Sequence, residues 1–504
     1  LADDDSTAIN KGKIVTLGHG AVGIKAEKGS FGLNLGKVIT EGNRAHGMAA
    51  IDHSRAVNTG KIVTKGDRAH GMLALNDSFV GNFGADTIVT LGDGSHGMAA
   101  IDDSKAVNTG KVITKGDRAY GMLADDDSTA INKGKIVTLG RGSVGIKAED
   151  ESFGLNLGKV ITEGNRAHGM LADDDSTAIN KGKIITLGRG SVGVKAEDDS
   201  TAINKGKIVT KGDRAHGMAA IDDSRAVNTG KVITKGVRAY GMLADDDSTA
   251  INKGKIVTKG RGADAVKLNN STLINAGVLD SAKGNAVTAE NHSRVTMLDG
   301  TELVNSHTLK GDKTSRLLVN MDDPTQDDPF SAQVRGFARF TKRGTGWMTL
   351  EEGSFVSGDT FHKAGTLEIA SQSQFRTNTY HQSPDARLYV YMNPDSYTNL
   401  DEIPLWVKKG AHISGTLTID GSTATLPGFY TYIRAYRYDG SDFETEFVNK
   451  DPLFTYYMPQ WLSGGSWHYT SMAGYSFSHA ALGLVATIDD WSLLRYAMAN
   501  HLND

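Results

Sequence analysis

The feature that most constrains this chain is self-similarity at a short fixed period. The string Ser6-Thr7-Ala8-Ile9-Asn10-Lys11-Gly12-Lys13-Ile14-Val15-Thr16 returns at Ser128–Thr138, at Ser176–Thr186 with one Ile for Val, at Ser200–Thr210 and at Ser248–Thr258. A sister string, Ser54-Arg55-Ala56-Val57-Asn58-Thr59-Gly60-Lys61-Ile62-Val63-Thr64, alternates with it. The period is about 24 residues, and about eleven copies run to Lys267. Such a period demands a solenoid, in which each repeat packs only on its neighbours. Glycine interrupts every unit at two or three places, which a helical repeat does not tolerate. Between the glycines lie short β-branched pieces, Thr-Ala-Ile-Asn, Lys-Ile-Val-Thr, and a third such as Val-Gly-Ile-Lys or His-Gly-Met-Leu. Three short strands joined by turns make one coil of a right-handed, three-stranded parallel β-helix, an all-β fold. The calcium-binding glycine-aspartate nonapeptide of calcium rolls is absent from the sequence.

Composition agrees with a thin core. Of 504 residues 60 are Gly and only 39% are hydrophobic, fewer than a compact chain of this length needs to cover its interior. The net charge of −4 singles out neither nucleic acid nor a membrane surface as partner. No apolar run approaches the roughly 18 residues of a membrane-spanning helix. The chain has no cysteine and begins within the repeat pattern, as a mature or trimmed exported chain would. No cofactor and no metal are expected.

Strands stacked about 4.8 Å apart turn sequence columns into physical ladders, so eleven rungs span roughly 50 Å. Two apolar columns are expected to form the core. One contains Ile9, Leu33, Val57, Val107, Ile131, Leu155, Ile179, Ile203, Val227 and Ile251. The other contains Ile14, Val38, Ile62, Ile88, Val112, Ile136, Val160, Ile184, Ile208, Val232 and Ile256. Beside the first runs an Asn column from Asn10 to Asn252, whose amides can bond along the stack. The column His46, His70, His96, His168 and His216 resembles a metal ladder. However, Val22, Val144, Val192, Tyr120 and Tyr240 occupy the same place in other rungs, which implies packing rather than ligation.

Two charged edges follow. The acidic one lies at the corner before the first strand and includes Asp52, Asp77, Asp102, Asp126, Asp174, Asp198, Asp222 and Asp246. The basic one combines Lys13, Lys37, Lys61, Lys111, Lys135, Lys159, Lys183, Lys207, Lys231 and Lys255 with Arg44, Arg68, Arg118, Arg166, Arg214 and Arg238 at another corner. Like charges one rung apart repel by about 1 kcal/mol in water, so stability alone does not favour such columns. Either duplication has copied a solvated face, or a periodic edge meets an extended partner through many weak contacts.

Composition then changes. All eight prolines and all five tryptophans follow residue 323. Residues 1–267 read as the regular β-helix, 268–428 as β-helix with longer loops and a binding groove, and 429–504 as an aromatic-rich cap that ends in a short helix at Trp491–Leu502. Met321–Pro329 reads as an exposed acidic loop. Strand patterns resume at Gly346–Leu350, Gly365–Ile369 and Gly415–Ile419. Near the acidic loop lies a basic cluster of Lys310, Lys313, Arg316, Arg335, Arg339, Lys342 and Arg343, with His307 close by. Guanidinium forks hold sulfate or carboxylate in paired contacts, so this cluster is the candidate polyanion site.

The Asn-x-Gly-x-Ile-x-Thr rungs, followed by Gly415-Thr416-Leu417-Thr418-Ile419, resemble the passenger of a type V autotransporter adhesin. The AIDA-type group is the most similar, with UpaB-like passengers within it. The resemblance implies a bacterial cell-surface, exported protein that binds host glycosaminoglycan or another anionic polysaccharide, and an extracellular-matrix protein such as fibronectin along the acidic column. It also allows self-association between antiparallel ladders of two chains. The family's C-terminal transmembrane barrel is not in this sequence, so any membrane attachment would run through that missing part. Catalysis is the minority expectation. A β-helix polysaccharide lyase or hydrolase needs paired carboxylates, or a carboxylate with Arg or Lys, in one groove; Glu351, Glu352, Asp359 and Arg376 can be argued for this but their spacing is not distinctive, and no nucleophile, zinc or phosphate-loop motif is present.

Overall fold

Alternation along each four-residue strand decides which side chains enter the coil. In Arg55–Asn58 and Lys61–Thr64, Ala56, Asn58, Ile62 and Thr64 are buried, while Arg55, Val57, Lys61 and Val63 face outward. The computed structural model is all-β, a parallel β-solenoid of about 17 turns with three sheets and no helix among the described residues. It describes every residue except 85, 394–402, 423–427, 439–442, 449–454, 457–459, 463–479 and 488–504. The expected helix at Trp491–Leu502 and much of the expected cap therefore lie outside the described residues. Two compact units are present, Leu1–Thr288 with Val304–Ser306, and Ala289–Leu303 with His307–Asp504.

In the first unit each rung contributes one strand to each of three sheets, and like residues stack on like. Thr129, Ala130, Ile131 and Asn132 pair with Phe153, Gly154, Leu155 and Asn156 of the next rung, and these with Thr177, Ala178, Ile179 and Asn180. The second strand stacks in the same way, Lys135 to Thr138 on Lys159 to Thr162.

The second apolar column is core as expected, with Val38, Ile62, Ile136 and Ile208 fully buried. The first is not. Ile9 is 53% exposed and Leu33, Val57, Ile131 and Ile179 are only half-buried, whereas the Ala beside them, such as Ala56, Ala130 and Ala178, is fully buried. The reason is the period of two: the adjacent Asn points inward, so the apolar residue before it must point out. From Asn34 onward these asparagines are buried, and each amide donates to the next, Asn34 Nδ2 to Asn58 Oδ1 at 2.7 Å and Asn156 to Asn180 at 2.8 Å. The ladder continues to Asn275. It places satisfied polar groups inside a thin core, where an unpaired amide would cost about 1–3 kcal/mol.

Glycine fixes the tightest corners. A Cβ at Gly158 would strike the carbonyl of Gly134 on the preceding rung, and one at Gly169 would strike both the Gly193 carbonyl and Ile184. These approaches explain why the same positions are Gly in rung after rung.

The second unit keeps the parallel stacking with wider strands. The Gly-Thr-Leu phrases do align: Met348, Leu367, Leu388 and Leu417 form one fully buried column. Met321–Pro329 forms no strand and is largely exposed, as expected of an acidic loop. Its Asp322 accepts hydrogen bonds from the Thr345 N–H at 2.7 Å and the Thr345 hydroxyl at 3.0 Å, which hold the carboxylate below the usual carboxylate range. Near the end of the described residues, Ala480–Thr487 pairs antiparallel with Gly428–Tyr438.

Candidate functional site

The charged columns of the first unit have a backbone explanation. Asp126 and Asp127, Asp174 and Asp175, and Asp222 and Asp223 are successive residues with φ between 48° and 54°. Two left-handed residues in sequence favour Asp and Asn, whose short polar side chains tolerate that region. Asp52, Asp77, Asp102, Asp198 and Asp246 occupy the same corner with the same positive φ. Their carboxylates crowd one another. That of Asp246 is held above its ordinary pKa first by the adjacent Asp245 and then by partial desolvation. Those of Asp126, Asp174 and Asp198 are raised first by partial desolvation at the corner and then by neighbouring Asp.

The basic edge expected at one corner is two columns at opposite ends of the second strand. Lys159 opens Lys159–Thr162, and Arg166 lies in the turn after it. Thr87 interrupts the Lys column. The Arg column is broken by Gly94, Gly142 and Gly190, which share its positive φ, so backbone conformation selects that position.

The histidines pack. His46, His70, His96 and Tyr120 stack with ring centroids 4.9, 4.7 and 4.5 Å apart. Each Nδ1 accepts the backbone N–H of the next rung, His70 N to His46 at 3.1 Å, His96 N to His70 at 3.0 Å and Tyr120 N to His96 at 3.0 Å. An Nδ1 that accepts cannot carry a proton, and removal of water lowers the His46 pKa to about 4 and that of His96 to about 3. Rings stacked flat with Nδ1 so engaged are a packing column.

The basic cluster of the second unit separates on inspection. Lys342 is interior: it is 1% exposed, and its Nζ donates to the carbonyls of Arg343 at 2.9 Å and Gly344 at 2.8 Å. Burial lowers its pKa to about 8. Lys342 follows the inward alternation of Arg339–Arg343 and cannot meet a ligand as a surface cation. Lys310, Lys313, Arg316, Arg335, Arg339 and Arg343 are exposed. Register divides them: Arg294, Arg316 and Arg339 form one outward column ending at Asp359, Lys310 pairs with Arg335, and Arg343 closes the far end of its strand. Lys313 lies in the turn before Arg316–Asn320.

Sequence reading missed the aromatics that sit among these cations. The Arg339 guanidinium lies 4.8 Å from the Phe361 ring centroid, and Phe361 stacks on His381 at 5.1 Å. A second column runs Lys310, Arg335, Phe355, Arg376, Trp406 and Arg434 in lateral register. Arg335 covers Phe355 at 5.7 Å, and Arg376 and Arg434 each lie 5.3 Å from the Trp406 ring. Beside it opens a groove of about 890 Å³ lined by Phe355, Arg376, Trp406, Lys408, Gln374 and Glu352 among others. Only the rung register, set by loops of unequal length, brings residues 20 to 30 positions apart into this line. Isolated aromatic residues carried no periodic signal. Of the expected carboxylates, Glu351 closes on the His307 ring, Asp359 accepts from the Thr379 hydroxyl at 2.7 Å, and Glu352 stands at the groove.

The face combines guanidinium groups in register, aromatic surfaces that orient them and an open groove alongside, the chemistry that recognition of an anion requires. Comparison with known proteins follows the fold. No curated protein matches this chain. A chain of the cryo-EM structure of the Vag8–C1 inhibitor complex is similar in fold, with a TM-score of 0.51 at 16% identity over 77% of this chain and 96% of that one. The family model of the BigA third pectate lyase-like domain matches residues 1–108, 80–230 and 165–308, overlapping windows that together span more than half the sequence. The chain belongs to the family of the BigA third pectate lyase-like domain.

Proposed function

We propose that the protein is a surface-displayed adhesin, the exported passenger of an AIDA-type, UpaB-like autotransporter, that binds anionic polysaccharides of the glycosaminoglycan class. The observation that carries this reading is the outward column Arg294, Arg316 and Arg339, three guanidinium groups on consecutive rungs, with Arg335 and Arg376 nearby. Cations so aligned repel one another and gain from a polyanion laid along them. The Vag8 likeness supports a β-helix used for binding, since that protein is described in a complex with C1 inhibitor.

Replacement of Arg316, Arg335 and Arg339 by Ala is expected to weaken heparin or chondroitin sulfate binding by about tenfold or more, since each charge-assisted contact contributes on the order of 1 kcal/mol. Unchanged affinity would end the proposal. A matrix protein such as fibronectin along the acidic corner is a second reading, favoured by exposed carboxylates on successive rungs. Neutralising Asp126, Asp174 and Asp198 to Asn tests it, because Asn keeps the left-handed turn and removes only charge. Loss of fibronectin capture supports that reading and its retention removes it. Engagement of Glu351 and Asp359 by their neighbours favours binding over cleavage. New reducing or unsaturated ends after incubation with polysaccharide would reverse that preference.

A further inference from the structure

Two cationic columns in the second unit differ in their spacing. In Arg294–Arg316–Arg339 the guanidinium groups recur on every rung, about 4.8 Å apart. In the other column, beyond the adjacent pair Lys310 and Arg335, an aromatic ring is inserted between cations, so Arg335, Arg376 and Arg434 recur on every second rung, about 10 Å apart. The spacers lower the repulsion between successive guanidinium groups. They also fix each planar fork, because strands on either side of Trp406 bring Arg376 and Arg434 against its ring. With a guanidinium group from each neighbouring strand against the indole, and the Arg376 Nε donating to the Gln374 side-chain oxygen, a sugar ring beside Trp406 meets guanidinium donors rather than an open aromatic surface. The groove along Phe355, Arg376 and Trp406 runs beside this column.

We propose that the Arg335–Phe355–Arg376–Trp406–Arg434 column is a spacing-selective site for an extended polysaccharide that carries one anionic group on every second sugar. A pyranose in an extended chain is close to one rung spacing long. A polymer of alternating charged and uncharged sugars therefore brings its carboxylates to successive arginines. A polymer charged on every sugar leaves each second carboxylate against an aromatic edge, desolvated and unpaired.

This inference rests on the polyanion-binding reading of the same face, and the experiment separates the two. Binding of hyaluronan oligosaccharides, with alternating uronate, is compared with that of oligogalacturonates carrying the same number of carboxylates, with heparin as a third arm. The expected result is an affinity for hyaluronan about tenfold higher, equivalent to one charge-assisted contact. Arg376→Gln is expected to abolish that margin. Trp406→Leu and Phe355→Leu, which leave charge untouched, are expected to shrink it to about twofold or less. Trp406→Phe, which keeps a ring between the arginines, retains it and controls for folding. Equal affinity of the unaltered protein for the two oligosaccharides overturns the proposal. So does a preference that survives Arg376→Gln. Should heparin bind while neither oligosaccharide does, spacing selectivity is lost and the wider reading stands; should heparin also fail, the wider reading is lost with it.

Discussion

The two units use one coil for different ends. In the first, a 24-residue register repeats with such fidelity that nearly every periodic feature has a backbone cause. Asparagines fill the core, Asp pairs occupy left-handed corners, and Arg alternates with Gly where φ is positive. In the second, rungs vary in length and aromatics appear among the cations, notably Phe355, Phe361 and Trp406. Periodicity marks what the solenoid needs in order to stack, and departure from it marks where aromatic and cationic side chains replace the repeated pattern on the surface.

The comparison breaks most readily at the tight corners. Gly158→Val or Gly169→Val places a branched side chain against the carbonyl of an adjacent rung, and should cost about 3 kcal/mol or more, read as a fall in the denaturant midpoint of the first unit. A near-neutral result would mean that the corner relaxes and stacking is not limited by backbone approach. Next comes the amide ladder. Asn156→Ala removes the bonds to Asn132 and Asn180 and leaves both partners buried with an unmet valence, at about 2–3 kcal/mol. The same substitution at half-buried, near-terminal Asn10 should cost less.

Smaller, and dependent on pH, is the histidine column. In the unfolded chain these rings titrate near 6.5, whereas in the fold burial holds His46 and His216 to about 4 and His96 and His168 to about 3. Between those limits the unfolded state binds more protons, so stability is fully present above about pH 6.5 and declines as pH falls towards about 3. Replacing His46 and His168 by Val, the residue at equivalent positions, should flatten the acid limb of a melting-temperature profile. An unchanged slope would place acid sensitivity elsewhere. Smallest for function is Lys342→Met. It strips a donor from three carbonyls, those of Arg343, Gly344 and Ala364, at about 1–2 kcal/mol, yet should leave heparin affinity within about twofold, because the ammonium never reaches the surface. A large loss of affinity would return Lys342 to the binding face.

Much of this is legible in the sequence alone. The period implies the solenoid, the Ile14-to-Ile256 column supplies part of the core, and the change of composition after residue 323 accompanies the longer strands and irregular rungs of the second unit. Most of the Ile9-to-Ile251 column departs from the apolar expectation because alternation governs it: with Asn turned inward, its neighbour faces out. Lys342 departs in the same way, since a charge in a cluster reads as surface until strand parity is known. Trp406 and Phe355 were invisible because their partners are set by loop lengths that no repeat encodes.

The most direct test compares heparin affinity for two triple variants matched in charge, one in each unit. Removing Arg316, Arg339 and Arg376 should weaken binding by about tenfold or more, while removing Lys135, Lys159 and Lys183 from the regular unit should change it by no more than about twofold. Equal losses, or a larger loss from the lysines, would show that the repeated edge carries the interaction and that the irregular unit is not the binding region.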